Sequence, residues 1–433
     1  MTWRTVPLHK VASLESGFGF PRENQGDENQ EFPFFRVSDM NIPGNEVFME
    51  NHSNTVSAAT LKELGARAFP AGTVIFPKIG AAIATEKKRI LTKPSTYDNN
   101  VMGAVPKDAV TPRFLYYWFL RLKLTDLANP GHVPSIRKSV MEEIPFPVVA
   151  PSEQSRIVKL LDEADHLRRL RREADVKAAR ILSALFLKMF GDPVTNPKGW
   201  PEKPLSKVIQ SVEAGWSAPS DGRPRKGDEH GVLKVSAVTS GVFRPEENKA
   251  VIDVSSARSL IIPKRGDLLF SRANTRELVA ASCVVESDCQ NLFLPDKLWR
   301  LVPISREASG MYLKELFWRN GIRDQFRAAS SGSSGSMLNI SQDAMLRTIA
   351  PIPPFHLQDR FESLAWDVMD TLNRAKVAAE GIDSIWSNLL QRAFSGQLTA
   401  KWREAHMKEL LSEMEQQARL LNLPLPIAQE ALA

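Results

Sequence analysis

Pro151-Ser152-Glu153-Gln154-Ser155-Arg156-Ile157 opens a long run of apolar residues at helical spacing. Phe355-His356-Leu357-Gln358-Asp359-Arg360-Phe361 opens another, 204 positions later. The match belongs to an ordered series. Gly131, Ile136, Pro147, Gln154, Arg156 and Leu160 recur at that offset as Gly335, Ile340, Pro351, Gln358, Arg360 and Leu364. Ala174, Ile181, Ser183, Leu185 and Phe190 recur as Ala378, Ile385, Ser387, Leu389 and Phe394. Upstream the offset wanders. Trp3, Pro7, Leu8, Lys10 and Val11 return 197 positions on, Val37-Ser38 198 on, and Gly72 and Phe76 194 on. The chain is therefore a duplication. A wandering offset marks loops that accept insertions; a fixed one marks a length that geometry does not release.

Each copy begins with short, Gly/Pro-punctuated, β-forming segments such as Thr73-Val74-Ile75-Phe76 and Asp267-Leu268-Leu269-Phe270, each after a Gly turn. Short helical stretches follow, Phe114–Leu124 and Tyr312–Phe326, and then loops. The Ser330–Ser336 loop is Ser/Gly-rich and reads as flexible. Long helices close the copies. In the first, Ser152 is the expected N-cap, and Phe190-Gly191-Asp192-Pro193 is the stop. Its apolar stripe is Ile157, Leu161, Ala164, Leu167, Ala174, Ala178, Ile181, Leu185 and Met189; that of the second is Phe361, Leu364, Val368, Leu372, Ala375, Ile382, Ile385, Leu389 and Ala393, with a bend at Gly381.

The pattern predicts an α+β fold. Two similar β-rich domains, 1–150 and 192–354, alternate with two long helices, 151–191 and 355–396. A C-terminal tail, 397–433, has a helical pattern and no counterpart in the first copy. Antiparallel pairing of the helices into a coiled-coil spacer would relate the halves by a pseudo-two-fold axis.

Composition narrows the function. Apolar residues make up 43% and charged residues 24% of 433, the balance of a globular chain. No apolar run approaches the ~18–20 residues of a membrane span, and no apolar signal core follows Met1-Thr2-Trp3-Arg4, so a cytoplasmic protein is expected. Two cysteines, Cys283 and Cys289, make neither a disulfide framework nor a zinc site. The net charge is +6; the last segment, 355–433, is acidic at −3, and basic charge lies before it. That balance permits a nucleic-acid partner. Catalytic motifs are absent. Gly222 and Gly227 have P-loop spacing, but Asp228 stands where Lys is needed. Asn129-Pro130 is followed by Gly131, and Asn196-Pro197 by Lys198, so the Asn-Pro-Pro-aromatic motif of amino-methyltransferases is missing. The seven histidines show no metal-ligand spacing.

Two variable β-rich modules, each followed by a helix of fixed length, resemble the specificity (S) subunit of type I restriction-modification systems, HsdS. Ala150–Ile157 is similar to that family's P-x-x-E-Q-x-x-I pattern; Leu205–Val208, Gly266–Arg272 and Phe394–Leu398 also look like family positions. The second helix keeps Gln358 and Arg360 but lacks the Glu. The resemblance implies a non-catalytic subunit whose two target recognition domains each read half of a bipartite double-stranded DNA site, with the helices as ruler. Two methyltransferase (M) subunits would dock on the helices and supply S-adenosylmethionine chemistry; restriction (R) subunits would bring ATP- and magnesium-dependent translocation and cleavage. A stand-alone bipartite DNA-binding protein and a protein adaptor are the alternatives.

Polar and basic residues on turns after strands are the candidate DNA contacts. In the first module they are Arg36, Lys78, Lys87, Lys88 and Arg89. In the second they are Arg223, Arg225, Lys226, Arg272, Asn274 and Arg276. Arg can grip guanine in two places, Asn can grip adenine, and Lys mostly meets phosphate. Lys78 aligns with Arg272 at offset 194.

Overall fold

In this computed structural model the described residues are 3–178, 180–252, 260–332 and 337–424, without the side chains of 379 and 380. They divide into two compact units: Met1–Arg171 with Ala379–Ala433, and Arg172–Ala378. Residues 333–336 of the Ser-rich loop and the tail beyond 424 lie outside the described residues.

Each unit holds one β-rich head with the same strand plan. In the first, Ala12–Ser16, Val101–Pro106, Val74–Pro77 and Arg89–Leu91 neighbour one another in that order, all antiparallel. In the second the series is Ile209–Ala214, Leu298–Pro303, Leu268–Ser271 and Ser282–Val284. A smaller sheet repeats too. Phe32–Phe35 lies antiparallel to Thr55–Val56 and parallel to Thr96–Tyr97. Gly231–Leu233 stands in the same relation to Asn248–Ala250 and Leu292–Phe293. The first head adds Phe48–Met49 beside Arg89–Leu91, and the second pairs Ala273–Asn274 with Leu338–Asn339.

The central strand of each head is apolar without a break because both its faces are covered. Side chains alternate along a strand. Val74 and Phe76 therefore enter one core with Leu115 and Phe119, while Ile75 enters another with Phe35 and Tyr97. Leu268 and Phe270 likewise join Leu313 and Phe317, and Leu269 joins Leu294 and Cys283. Each such ring or aliphatic chain, fully buried, contributes roughly 1.5–3 kcal/mol. Both cysteines are free and buried.

The expected helices form, with corrections. The first starts at Pro151, a residue whose fixed φ suits the first helical position, and not after a Ser152 cap. Its described residues form Pro151–Ala178 and Ile181–Phe190, and residue 179 lies outside the described residues. Arg180 N–H bonds to the Lys177 carbonyl three residues back (3.1 Å), a tightened turn. Gly191, at φ 82°, caps its end as expected. The second runs unbroken from Phe355 to Phe394, through Gly381. The buried stripes differ from those expected. Ile157 and Leu161 are buried, but Leu167 is 65% exposed. On the second helix Trp386 and Leu390 take the inner face, and Ile385 is 65% exposed. The charges that follow Ala164 set this limit, since Arg168 through Arg172 have no place in a dry seam.

Packing inside each unit is antiparallel. In the first, Glu153 meets Arg403, Ile157 and Leu161 share a core with Leu390 and Ala393, and Arg168 pairs with Asp383 (2.5 Å). In the second, Phe186 and Phe190 pack on Phe361 (ring centroids 5.8 and 5.4 Å). The tail forms Ala400–Ala405 and Met407–Leu420 and belongs to the first unit. Among the described residues no helix is long and apolar enough to cross a membrane, and no three His, Cys, Asp or Glu gather as metal ligands.

Candidate nucleic-acid interface

The recurring Gln anchors each head to its helix. Gln154 Oε1 accepts from Thr111 N (3.0 Å), and Nε2 donates to the Ala109 and Val149 carbonyls (2.9 and 2.8 Å). Gln358 repeats this with Ser309 N (3.0 Å) and the Glu307 and Pro353 carbonyls (3.2 and 2.8 Å). Thr111 and Ser309 cap the heads' own helices, Pro112–Arg121 and Gly310–Phe317. One buried amide thus joins a cap, a loop and a long helix in each unit.

The copies differ at the neighbouring position. Glu153, 2% exposed, accepts from Thr399 Oγ1 (2.6 Å) and Arg403 Nε (2.8 Å), both on the tail. The matching Leu357 packs against the second core. The missing Glu in the second copy follows from the tail's place in the first unit.

Lys78 and Arg272 occupy equivalent places, where the chain leaves the central strand. Lys78 N–H donates to Asn100 O (2.8 Å), and its carbonyl accepts from Ile136 N (2.9 Å). Arg272 N–H donates to Lys297 O (3.1 Å), and its carbonyl accepts from Ile340 N (2.9 Å). Lys78 Nζ donates to Ser16 Oγ (2.8 Å). Burial pulls its pKa below the ordinary lysine value, with Asp98 opposing. Asp98, itself pushed up by burial, also feels Arg36. Arg36 is half-buried and donates to Gln25 Oε1 (3.1 Å). Arg272 is half-buried, and its Nε has no hydrogen-bond partner. Asn274 and Arg276 follow it, the first half-buried with Oδ1 accepting from Thr275 N, the second exposed. Arg323 and Arg327 hold this loop through the Glu277 and Arg276 carbonyls (2.6 and 3.2 Å). Lys297, beside Arg272, was not singled out from sequence, although its offset of 197 from Asn100 marks it.

The other candidates have internal partners. Lys88 is 2% exposed, ion-paired with Glu86 (2.7 Å) and donating to Leu122 O (2.9 Å). Arg89 donates to the Lys88 and Met40 carbonyls. In this structure both brace the head and do not face outward as free cations. Lys87, half-buried, bonds Asn41. In the second head Arg223 forks onto Glu229 (2.7 and 2.8 Å) and pairs with Asp221 (2.8 Å). The Arg223 guanidinium holds the Glu229 carboxyl down to about 2. Arg225 donates to the Gly227 carbonyl (2.5 Å), closing the same turn, while Lys226 is exposed on it.

Each head therefore presents one basic residue at the same strand end, on backbone fixed by matching bonds. The loops that follow differ in sequence between the two heads. Arg at such a point can fork onto a base edge, and Lys can meet phosphate.

Comparison with known proteins bears on the chain's likeness to a family. A family model described as the type I restriction modification DNA specificity domain matches residues 1–177. The EcoEI specificity subunit of Escherichia coli is 30% identical over 185 residues, 42% of this chain and 31% of that one. The MjaIX specificity subunit of Methanocaldococcus jannaschii is 26% identical over 192 residues, 40% and 44%. The EcoKI specificity subunit of Escherichia coli K12 is 25% identical over 326 residues, 70% and 68%. The chain thus spans less than half the length of the first two. Among solved structures, the S subunit of a type I restriction-modification system from M. genitalium shares the fold, with TM-score 0.52, 13% identity, and 91% and 96% of the two chains covered. A chain from a type I R-M assembly does so with TM-score 0.55, 16% identity, and 92% and 98% covered. The likeness to type I specificity subunits read from the repeat is what these matches have in common.

Proposed function

We propose that this chain is the DNA-specificity subunit of a type I restriction-modification complex, and that each head reads one half of a bipartite site. The observation that carries this is the duplicated placement of Lys78 and Arg272 at one strand end, on backbone held by equivalent bonds. Two readers of one design, with different loops around the same anchor, suit two different half-sequences. The direct base contacts are assigned to Arg272, Asn274 and Arg276 in the second head and to Arg36 in the first, where Lys78 meets phosphate. Lys226 and Lys87 serve the phosphates, and a ladder of such contacts would make binding fall steeply with salt. Arg223 and Arg225 shape the turn that carries Lys226.

The chain carries out no chemistry of its own in this reading. Two M subunits dock on the helices and bring S-adenosylmethionine; R subunits bring ATP- and magnesium-dependent cleavage; the complex works in the cytoplasm. Co-expression with the cognate M subunit, followed by methylation mapping of genomic DNA, tests it. The expected result is a two-part motif with a constant gap, absent without this chain. Methyl transfer by the purified chain alone, or a motif unchanged by its deletion, would overturn the assignment.

A further inference from the structure

The two head–helix junctions are built alike but filled differently. In the first unit Trp386 lies nearly buried against the head, 7% exposed, with the Arg168 guanidinium 5.4 Å above its ring and the Tyr117 ring 6.1 Å away. The repeat offsets, 204 in the long helices and 198 in the heads' capped helices, place Leu182, Leu372 and Glu315 at those positions in the second unit. Three large groups are exchanged for smaller ones, and a cavity of about 340 Å³ opens there. Its walls include Leu182, Met311, Trp318, Met369 and Leu372.

The polar groups at its margin already have partners. Glu315 is ion-paired with Lys314 (2.7 Å) and Arg319 (2.6 Å), and Glu286 accepts from Asn373 (2.7 Å). A carboxylate guest would meet the Glu286 and Glu315 carboxylates and would lose its hydration. Two thioethers and an indole offer soft, polarisable contacts of the kind aromatic rings favour. The volume lies in the range of small-molecule sites.

We infer that this cavity in the second unit is a binding site for a small uncharged aromatic molecule of indole size, seated where the first unit keeps its own indole. The site is separate from the strand ends assigned to DNA, so its failure leaves that assignment standing.

The full chain titrated with 5-fluoroindole and followed by fluorine NMR tests it. Saturable binding is expected, at least tenfold weaker for fluorinated indole-3-acetate, whose carboxylate is charged. Leu182→Trp, which restores the first unit's filling, should weaken fluoroindole binding at least tenfold and raise the melting temperature. Leu372→Trp fills the same space from the other wall and should act alike if Leu182→Trp does not fold. Absence of saturable binding up to the solubility of the probe, or unchanged affinity in a folded filling variant, would overturn the inference.

Discussion

Gln154 and Gln358 make the same three bonds, yet they are not equally exposed to loss. Gln417 on the tail donates to the same Ala109 and Val149 carbonyls as Gln154 (2.9 and 2.8 Å). Gln358→Ala leaves a buried N–H and two carbonyls unmet and should destabilise the second unit by about 2–4 kcal/mol. Gln154→Ala leaves mainly Thr111 N unmet, for about 1–2 kcal/mol. Hydrogen exchange of each head's capped helix, with urea unfolding of the full chain, separates the two. Among the basic residues, Arg272→Ala should weaken reading of one half-site by roughly 1–3 kcal/mol with the fold intact. Lys88→Ala should do the reverse. It leaves the Leu122 carbonyl unmet, while Glu86 keeps its bonds from Leu124 and Thr125, costing about 1–3 kcal/mol of stability, and any loss of DNA reading should follow the loss of folded protein. Methylation mapping beside a melting curve distinguishes these outcomes.

At the scale of elements, the tail and the long helices each carry a test. Glu153→Leu copies the second unit's Leu357 but strands Arg403, which is buried beside it. The single substitution should cost about 3–5 kcal/mol, and adding Arg403→Leu should recover most of it; paired thermal melts measure this. Seven residues inserted between Ala174 and Ala178 keep the helical phase nearly unchanged and add about 10 Å. The gap between half-sites should then grow by about three base pairs at ~3.4 Å each, as methylation mapping would show. Most of this architecture could be read before the fold was known. Repeat offsets locate both heads, both helices and the Lys78/Arg272 equivalence, because matched backbone geometry leaves matched residues. The buried face of the helices could not be read the same way. Ile385 and Trp386 are neighbours, and only the head they pack against decides which turns inward. The sequence likewise gave no sign that Lys88 and Arg223 are held internally, since Glu86 and Glu229 become partners only once the turns close.

For the whole molecule, modularity is the central expectation. Replacing residues 1–150 with the matching part of a relative should change one half-site and leave the other as it was; a change in both, on methylation mapping, would refute independent heads. The division of the chain into its two units also imposes an order of events. The second unit is one continuous stretch, whereas the first needs residues from both sides of it. On the ribosome the head made first is therefore finished last. At ~5–20 residues per second, synthesis of the intervening ~200 residues takes about 10–40 s. Through that interval Ile157 and Leu161 lack the Trp386, Leu390 and Ala393 that cover them, and Glu153 has no Arg403. The nascent first head must wait with an apolar face open and a carboxylate unmatched. Premature termination between Ala378 and Arg403 leaves a protein whose later half can be complete and whose earlier half cannot.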